Sequence, residues 1–237
     1  YVDVLAWHSQ GIFSISRDFA FHVYPEYIKE FKRYAEAHGF KGEYMCTEYH
    51  NCAPYPPASE PFRLTPSLDR IDKGIDTDVT KAKNLAKIVL MHLGLSSAIF
   101  WCETWNNGLT AWMDLGLIRN TWSSNPINAV TDQPAYYVMR TLCTIMDSAK
   151  PIDLKVAFSK VPSYWAGRFE NYNFSTPDGT LIAVWVDGPT LDKQKGIVTD
   201  VIVKNIHTNH VSAIDTLNGV AQDMEWKQEG GNLHIPK

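Results

Sequence analysis

The stretch Gly42-Glu43-Tyr44-Met45-Cys46-Thr47-Glu48-Tyr49-His50 decides how this chain is read. It is a short strand-like run that ends in a carboxylate, and a polar, proline-rich loop follows at once. Tyr44, Met45 and Cys46 suit a buried strand, and a short apolar run bounded by turn residues is the pattern of one. Nothing in the run calls for an acid except its very end. Glu48 is therefore expected at the C-terminal tip of a strand, where α/β barrels carry their chemistry.

Working outward, residues 1–8 alternate and predict a strand ending at His8. Ser9 to Tyr24 reads as a loop, and Pro25 is placed to open a helix. Ile28, Phe31, Tyr34, Ala35 and His38 recur at helical spacing, with Glu26, Lys29, Glu30, Lys32 and Arg33 opposite them. Gly39 is the expected stop. After the strand through Glu48, a loop from Tyr49 to Asp78 holds Pro54, Pro56, Pro57, Pro61 and Pro66. A loop of that length inside a compact domain is usually functional or disordered. Asp76-Thr77-Asp78 predicts the cap of a second helix, with Ala82, Leu85, Ala86, Val89, Leu90 and Leu93 as its buried stripe and Gly94 as its end. Ser97 to Cys102 predicts a third strand, followed by a loop through Trp105 and Asn106, and Pro134 to Met146 a third helix.

Strand and helix alternating in this way predict parallel βαβ units. Beyond Pro151 the pattern changes. Val156–Val161, Arg168–Phe174, Thr180–Val186, Val198–Val203 and Val211–Leu217 alternate with period two. Pro177-Asp178-Gly179, Asp187-Gly188-Pro189 and Asn218-Gly219 separate runs with strong turn signals. The second part is therefore expected to be an antiparallel β domain, a sandwich, with the boundary near 147–153. The chain begins as if inside a strand and stops as another gets under way at 231–237, so it reads as a piece of a longer one.

Composition narrows the function classes. The net charge of −4 and the absence of a Lys/Arg cluster give no nucleic-acid footprint. No apolar run approaches the ~20 residues of a membrane span. Cys46, Cys52, Cys102 and Cys143 lack the spacing of a zinc ribbon or redox pair. Cys46, Cys102 and Cys143 lie in apolar runs and are expected as buried free thiols, while the state of Cys52 stays open. His8, His22, His38, His50 and His92 show no metal-ligand spacing, and no cofactor motif is present. Eight Trp and eleven Tyr suit stacking on sugar rings, although a well-filled core uses the same residues.

Taken in order, these pieces resemble the C-terminal portion of clan A glycoside hydrolases of the β-xylosidase and α-L-arabinofuranosidase type. In that family a (β/α)₈ barrel is followed by a β-sandwich. Val2 to His8 resembles strand six, and Met45-Cys46-Thr47-Glu48-Tyr49 the strand-seven Thr-Glu-aromatic motif that bears the nucleophile. Ala82 through Trp101 resembles helix seven leading into strand eight. Leu115-Gly116-Leu117 and Gln133-Pro134-Ala135-Tyr136-Tyr137 resemble the run that opens helix eight. None of these motifs is specific alone; their order and spacing carry the likeness.

The resemblance implies an α/β fold: residues 1–150 as part of a (β/α)₈ TIM barrel, strands six to eight, then an antiparallel β-sandwich over 151–237. It implies a retaining hydrolase of glycosidic bonds in plant- or microbe-type poly- or oligosaccharides, extracellular or periplasmic. Such enzymes set two carboxyl groups roughly 5–5.5 Å apart across the scissile bond. Glu48 would be the nucleophile. The acid/base of the family follows an Asn at the end of strand four, and no Asn-Glu pair occurs in this chain. It is expected upstream, in a missing N-terminal barrel half supplied by the same or another chain, and this piece alone is expected to be inactive. His8, Tyr49, His50, Trp101, Glu103 and Trp105 are the candidate sugar-binding residues. Glu103 is also a candidate second acid, Trp101 equally a core residue, and Glu48 equally a surface ion-pair acid. Trp165, Tyr172 and Trp185 are candidates for a carbohydrate-binding face and are read chiefly as packing against the barrel or filling the sandwich core. Two rival functions stand beside the hydrolase: a non-catalytic glycan-binding or structural protein on the same fold, and an unrelated barrel enzyme using Glu48 as a base.

Overall fold

The computed structural model describes residues 2–8, 20–49, 77–101, 105–107, 117–120, 130–163, 167–187, 190–193 and 196–236. Its first part is a parallel sheet of β1 (Val4–His8), β2 (Glu43–Tyr49) and β3 (Ala98–Trp101), in that spatial order. Helix α1 (Ala20–Ala37) leads from β1 to β2, and α2 (Asp78–Gly94) leads into β3. The architecture is mixed α/β, and among the described residues the parallel sheet stays open.

Helix α1 forms because one face can be buried and the other solvated. Tyr24 and Ile28 are fully buried, while Lys29–Glu26 and Arg33–Glu30 pair along the exposed side. Such exposed pairs contribute a few tenths of a kcal/mol at most. Gly39, at φ +87°, closes the helix: its N–H donates to Glu36 O, and Phe40 N–H donates to Ala35 O. This is the Schellman arrangement that the glycine predicts. The helix start differs from expectation. It lies at Ala20, so Pro25 falls inside the helix instead of opening it. An interior proline supplies no N–H and costs about 3 kcal/mol. Tertiary packing holds the turn before it: the Tyr24 hydroxyl accepts from Trp7 Nε1 at 3.0 Å and donates to Cys46 Sγ at 4.0 Å.

Helix α2 is capped by Thr77, whose hydroxyl accepts the Thr80 N–H at 3.1 Å. Ala82, Leu85, Val89 and Leu90 are buried as the periodicity predicts, whereas Ala86 and Leu93 are only partly covered. Ile88, Met91 and His92 are buried as well. The reason is that α2 is packed on more than one side, by the parallel sheet, by α3 (Pro134–Ile145) and by the β domain. A Cβ on Gly94 would meet Tyr172 Cδ1 at 2.2 Å, so the glycine lets α2 approach the β domain.

Between β3 and α3 lies a small sheet absent from the sequence reading: β4 (Trp105–Asn107), β5 (Ile118–Asn120) and β6 (Val130–Asp132). Trp105 and Asn106, expected in a loop, belong to β4. On α3, Ala135, Val138 and Leu142 face inward, and Cys143 is exposed. That corrects its expected burial. An apolar neighbourhood in sequence does not fix the face, and Cys143 follows Leu142 by one helical step of about 100°. Cys46 is buried, as expected; Cys52 and Cys102 lie outside the described residues.

The second part is antiparallel. Strands β7 (Lys150–Pro151), β9 (Phe169–Thr176) and β10 (Gly179–Val186) make one sheet. A second contains β8 (Val156–Ser159), β11 (Asp200–Val203), β14 (Lys227–Glu229) and β15 (Asn232–Ile235). Strands β12 (Ser212–Asp215) and β13 (Val220–Asp223) form a hairpin around Gly219, at φ +71°. All five alternating runs overlap a strand; β13 and β14 carry no such run. The segment expected as a strand just getting under way is β15, which lies between β14 and β11 with Leu233 buried. Phe158 stacks on Phe169 with centroids 4.3 Å apart and ties the two sheets together.

The hydrophobic core does not stop at the boundary near 147–153. Phe174 of β9 is fully buried in the same cluster as Leu85, Ile88 and Leu142, with Tyr172, Leu181, Ala183 and Trp185 packed against it. Polar contacts reinforce that seam. Lys83 Nζ donates to the carbonyls of Leu191 and Asp192, each at 2.7 Å, and Lys87 Nζ donates to Thr190 Oγ1 at 2.8 Å. Burial lowers the Lys87 ammonium to about 8, against the opposing pull of Asp187. Tyr172 and Trp185, whose rings stack at 5.4 Å, therefore serve packing.

Candidate functional site at the strand ends

The C-terminal ends of β1, β2 and β3 bring His8, Glu48, Tyr49 and Trp101 to one edge of the parallel sheet. Their relation depends on a break in register. Leu5 pairs with Tyr44, Ala6 with Met45 and Trp7 with Cys46, but His8 pairs with Glu48. One residue, Thr47, is therefore extra on β2. On the other side Cys46 pairs with Ile99 and Tyr49 with Trp101, so the same insertion is felt against β3. This is a β-bulge, in which two residues of one strand oppose one of its neighbour.

The bulge changes which residue meets which. Simple alternation from Tyr44 and Cys46 carries Glu48 in their phase, the phase buried against the helices. With the extra residue, Glu48 instead takes the register position of His8, an exposed residue that alternates with the half-buried Leu5 and Trp7. Thr47 closes the irregularity: its Oγ1 donates to Trp7 O at 3.2 Å. The side-chain bond replaces part of what the ladder loses there.

Beneath this edge lies a buried aromatic and polar cluster. Trp7 packs against Phe31 at 5.5 Å and against His92 at 6.0 Å, and Tyr24 meets His92 at 5.4 Å. His92 is fully buried, and that burial lowers its pKa to about 3, so it is neutral at ordinary pH. Its Nδ1 lies 3.2 Å from Ser97 Oγ, and its Nε2 has no hydrogen-bond partner among the described residues. Sequence reading placed His92 among histidines without ligand spacing and gave it no other part. It named Thr47 only as part of the Thr-Glu-aromatic motif and Tyr24 only as the end of a loop, because a single-residue slip in register and a contact across the fold leave no trace in period-two alternation.

Trp105 lies on β4, in register with Ile118 of β5, in a sheet separate from the one that holds the others. His50 and Glu103 lie outside the described residues, as does the proline-rich loop after Tyr49. Among the described residues no three His, Cys, Asp or Glu side chains gather as a metal set. A depression of about 450 Å³ lined by Lys32, Gly42, Glu43, Tyr44, Ser96 and Ala98 lies at the opposite end of the strands. Its lysine is committed to the carbonyls of Leu95 and Ser96, at 2.7 and 3.4 Å. It is open, shallow in chemistry and remote from Glu48.

No protein-family model matches this chain, no curated protein matches it, and no solved structure matches its fold.

Proposed function

We propose that this chain is the C-terminal part of a retaining glycoside hydrolase, with Glu48 as the nucleophile. One observation carries the reading: a bulge in β2 sets Glu48 in register with His8 at the C-terminal end of parallel strands. Bulges recur beside active sites, where they re-aim a residue. An acid and an imidazole at that end of an α/β sheet are the kind of pair that binds and cleaves polar substrates.

The chemistry follows from the two-carboxylate mechanism. The ionised Glu48 carboxylate attacks the anomeric carbon as the glycosidic oxygen leaves with a proton from the second acid. A glycosyl ester forms on Glu48, and water activated by that same second group then releases the sugar. In the β-xylosidase and α-L-arabinofuranosidase family that the chain resembles, the second acid follows an Asn on strand four, and this reading assigns that role to such a residue. His8 serves to hold a sugar hydroxyl or to orient Glu48, and Tyr49, His50, Trp101, Glu103 and Trp105 are assigned to the sugar pocket.

The test replaces Glu48 with Ala in the full-length protein and follows an aryl glycoside with a good leaving group. Loss of a nucleophile lowers kcat by on the order of 10⁴-fold or more. Added azide then restores turnover and yields a glycosyl azide of inverted configuration, because the small anion takes the carboxylate's place. A Glu48→Ala protein that keeps its activity, or that azide leaves inert while wild type is active, removes Glu48 from the nucleophile's role. A folded full-length wild type that binds xylo- or arabino-oligosaccharides without cleaving any aryl glycoside favours the non-catalytic reading.

A further inference from the structure

We infer that Thr47 is a positioning residue: its hydroxyl, bonded to the Trp7 carbonyl, holds the bulge that brings Glu48 into register with His8. The inference rests on the hydrolase reading for its catalytic consequence, and on geometry alone for its structural one.

Three observations converge on it. The register against β1 jumps between Trp7 and His8, and the register against β3 jumps between Cys46 and Tyr49. Both jumps enclose Thr47. Second, Thr47 Oγ1 reaches across to Trp7 O at 3.2 Å, the carbonyl immediately before the first shifted pair. A bulge leaves one residue's backbone unpaired and so loses ladder bonds. A side-chain donor at that point stabilises the slipped register over the regular one.

The third observation is that the regular pair just before the bulge is fixed from below on both strands. Trp7 is held through Nε1 to the Tyr24 hydroxyl, which also donates to Cys46 Sγ. Trp7 further packs on Phe31 and on the neutral ring of His92. Trp7 and Cys46 are themselves the last regular pair before the slip. Trp7 and Cys46 are thus anchored by the helices, and Thr47 spans the step with a side-chain bond. A slip of one residue would exchange the faces of everything beyond it. Losing the clamp therefore acts on Glu48 and His8, and little on the core.

A hydroxyl-to-carbonyl bond of this kind is worth about 1 kcal/mol, or about 5- to 10-fold in any rate that depends on the clamped geometry. The experiment compares Thr47→Val, which keeps shape and branching, with Thr47→Ser, which keeps the hydroxyl, in the full-length protein. Amide hydrogen exchange over residues 5–8 and 46–49 and the kcat and KM for an aryl glycoside are measured on each. In Thr47→Val, exchange quickens several-fold in those two segments only, and kcat falls about 10-fold with KM nearly unchanged. Thr47→Ser recovers most of both. Unchanged exchange and kcat in Thr47→Val overturn the proposal, as does an equal loss in Thr47→Ser. If wild type cleaves nothing while Thr47→Val still loosens the two segments, the clamp stands and the hydrolase reading falls.

Discussion

Gly94→Ala is a substitution whose sign the fold reverses. On an exposed helix it stabilises by about 1 kcal/mol, since alanine is the better helix former. Here the new Cβ would sit 2.2 Å from Tyr172 Cδ1, 2.9 Å from Cγ and 3.0 Å from Cβ. Carbon atoms rest at about 3.5–4.0 Å, so the ring or the helix must retreat by more than an ångström. Neither moves freely. Tyr172 is in the middle of β9, paired with Ala183, and its ring stacks on Trp185. Overpacking of this sort costs about 1–3 kcal/mol or more. A 2.2 Å contact lies at the severe end of that range, so after the helix gain the net loss is about 1–2 kcal/mol. For a chain of this size that lowers Tm by about 2–8 °C. The assay is thermal unfolding of four proteins: wild type, Gly94→Ala, Tyr172→Ala and the double variant. Removing the ring removes the two shortest contacts and leaves the 3.0 Å approach to Cβ, so in the Tyr172→Ala background Gly94→Ala should cost much less than in wild type. A Gly94→Ala protein more stable than wild type, or a simple sum in the double variant, refutes the close seam between α2 and the β domain.

Two further predictions concern α2. Burial lowers the folded pKa of His92 from 6.5 to about 3, so its contribution to stability is complete above the unfolded value and is lost as pH falls from 6.5 toward 3. Between pH 7 and pH 5 that is about 2 kcal/mol. Denaturant unfolding at the two pH values should show it in wild type and not in His92→Phe; equal pH dependence in both contradicts the buried, neutral ring. Thr77→Ala removes the cap that accepts the Thr80 N–H and should cost about 1 kcal/mol in the same assay, with Thr77→Ser nearly neutral.

The parts of the fold that were legible in the sequence are those governed by local rules. Gly39 stops α1, Thr77 starts α2 and Pro134 starts α3, because caps and φ preferences act over a few residues. The turns at Gly179 and Gly219 were equally plain. The missed features are those in which distant packing overrides the local rule. Pro25 lies within α1 because Tyr24 is anchored to Trp7 and Cys46 from across the sheet. Ile88, Met91 and His92 are buried because a second surface covers α2. At the candidate site the sequence placed Glu48 at a strand tip, and the strand does end one residue later. It did not reveal the bulge at Thr47, since a register is a property of two strands and not of one.

The most direct measurement of the central claim is covalent capture of Glu48. The full-length protein is incubated with activated 2-deoxy-2-fluoro xylosides and arabinosides, whose glycosyl ester hydrolyses slowly, then digested and mapped by mass spectrometry. A sugar ester on Glu48, absent from the Glu48→Gln protein, is the predicted result. Turnover of aryl glycosides with the ester on a different carboxylate, or with no ester at all, would contradict it.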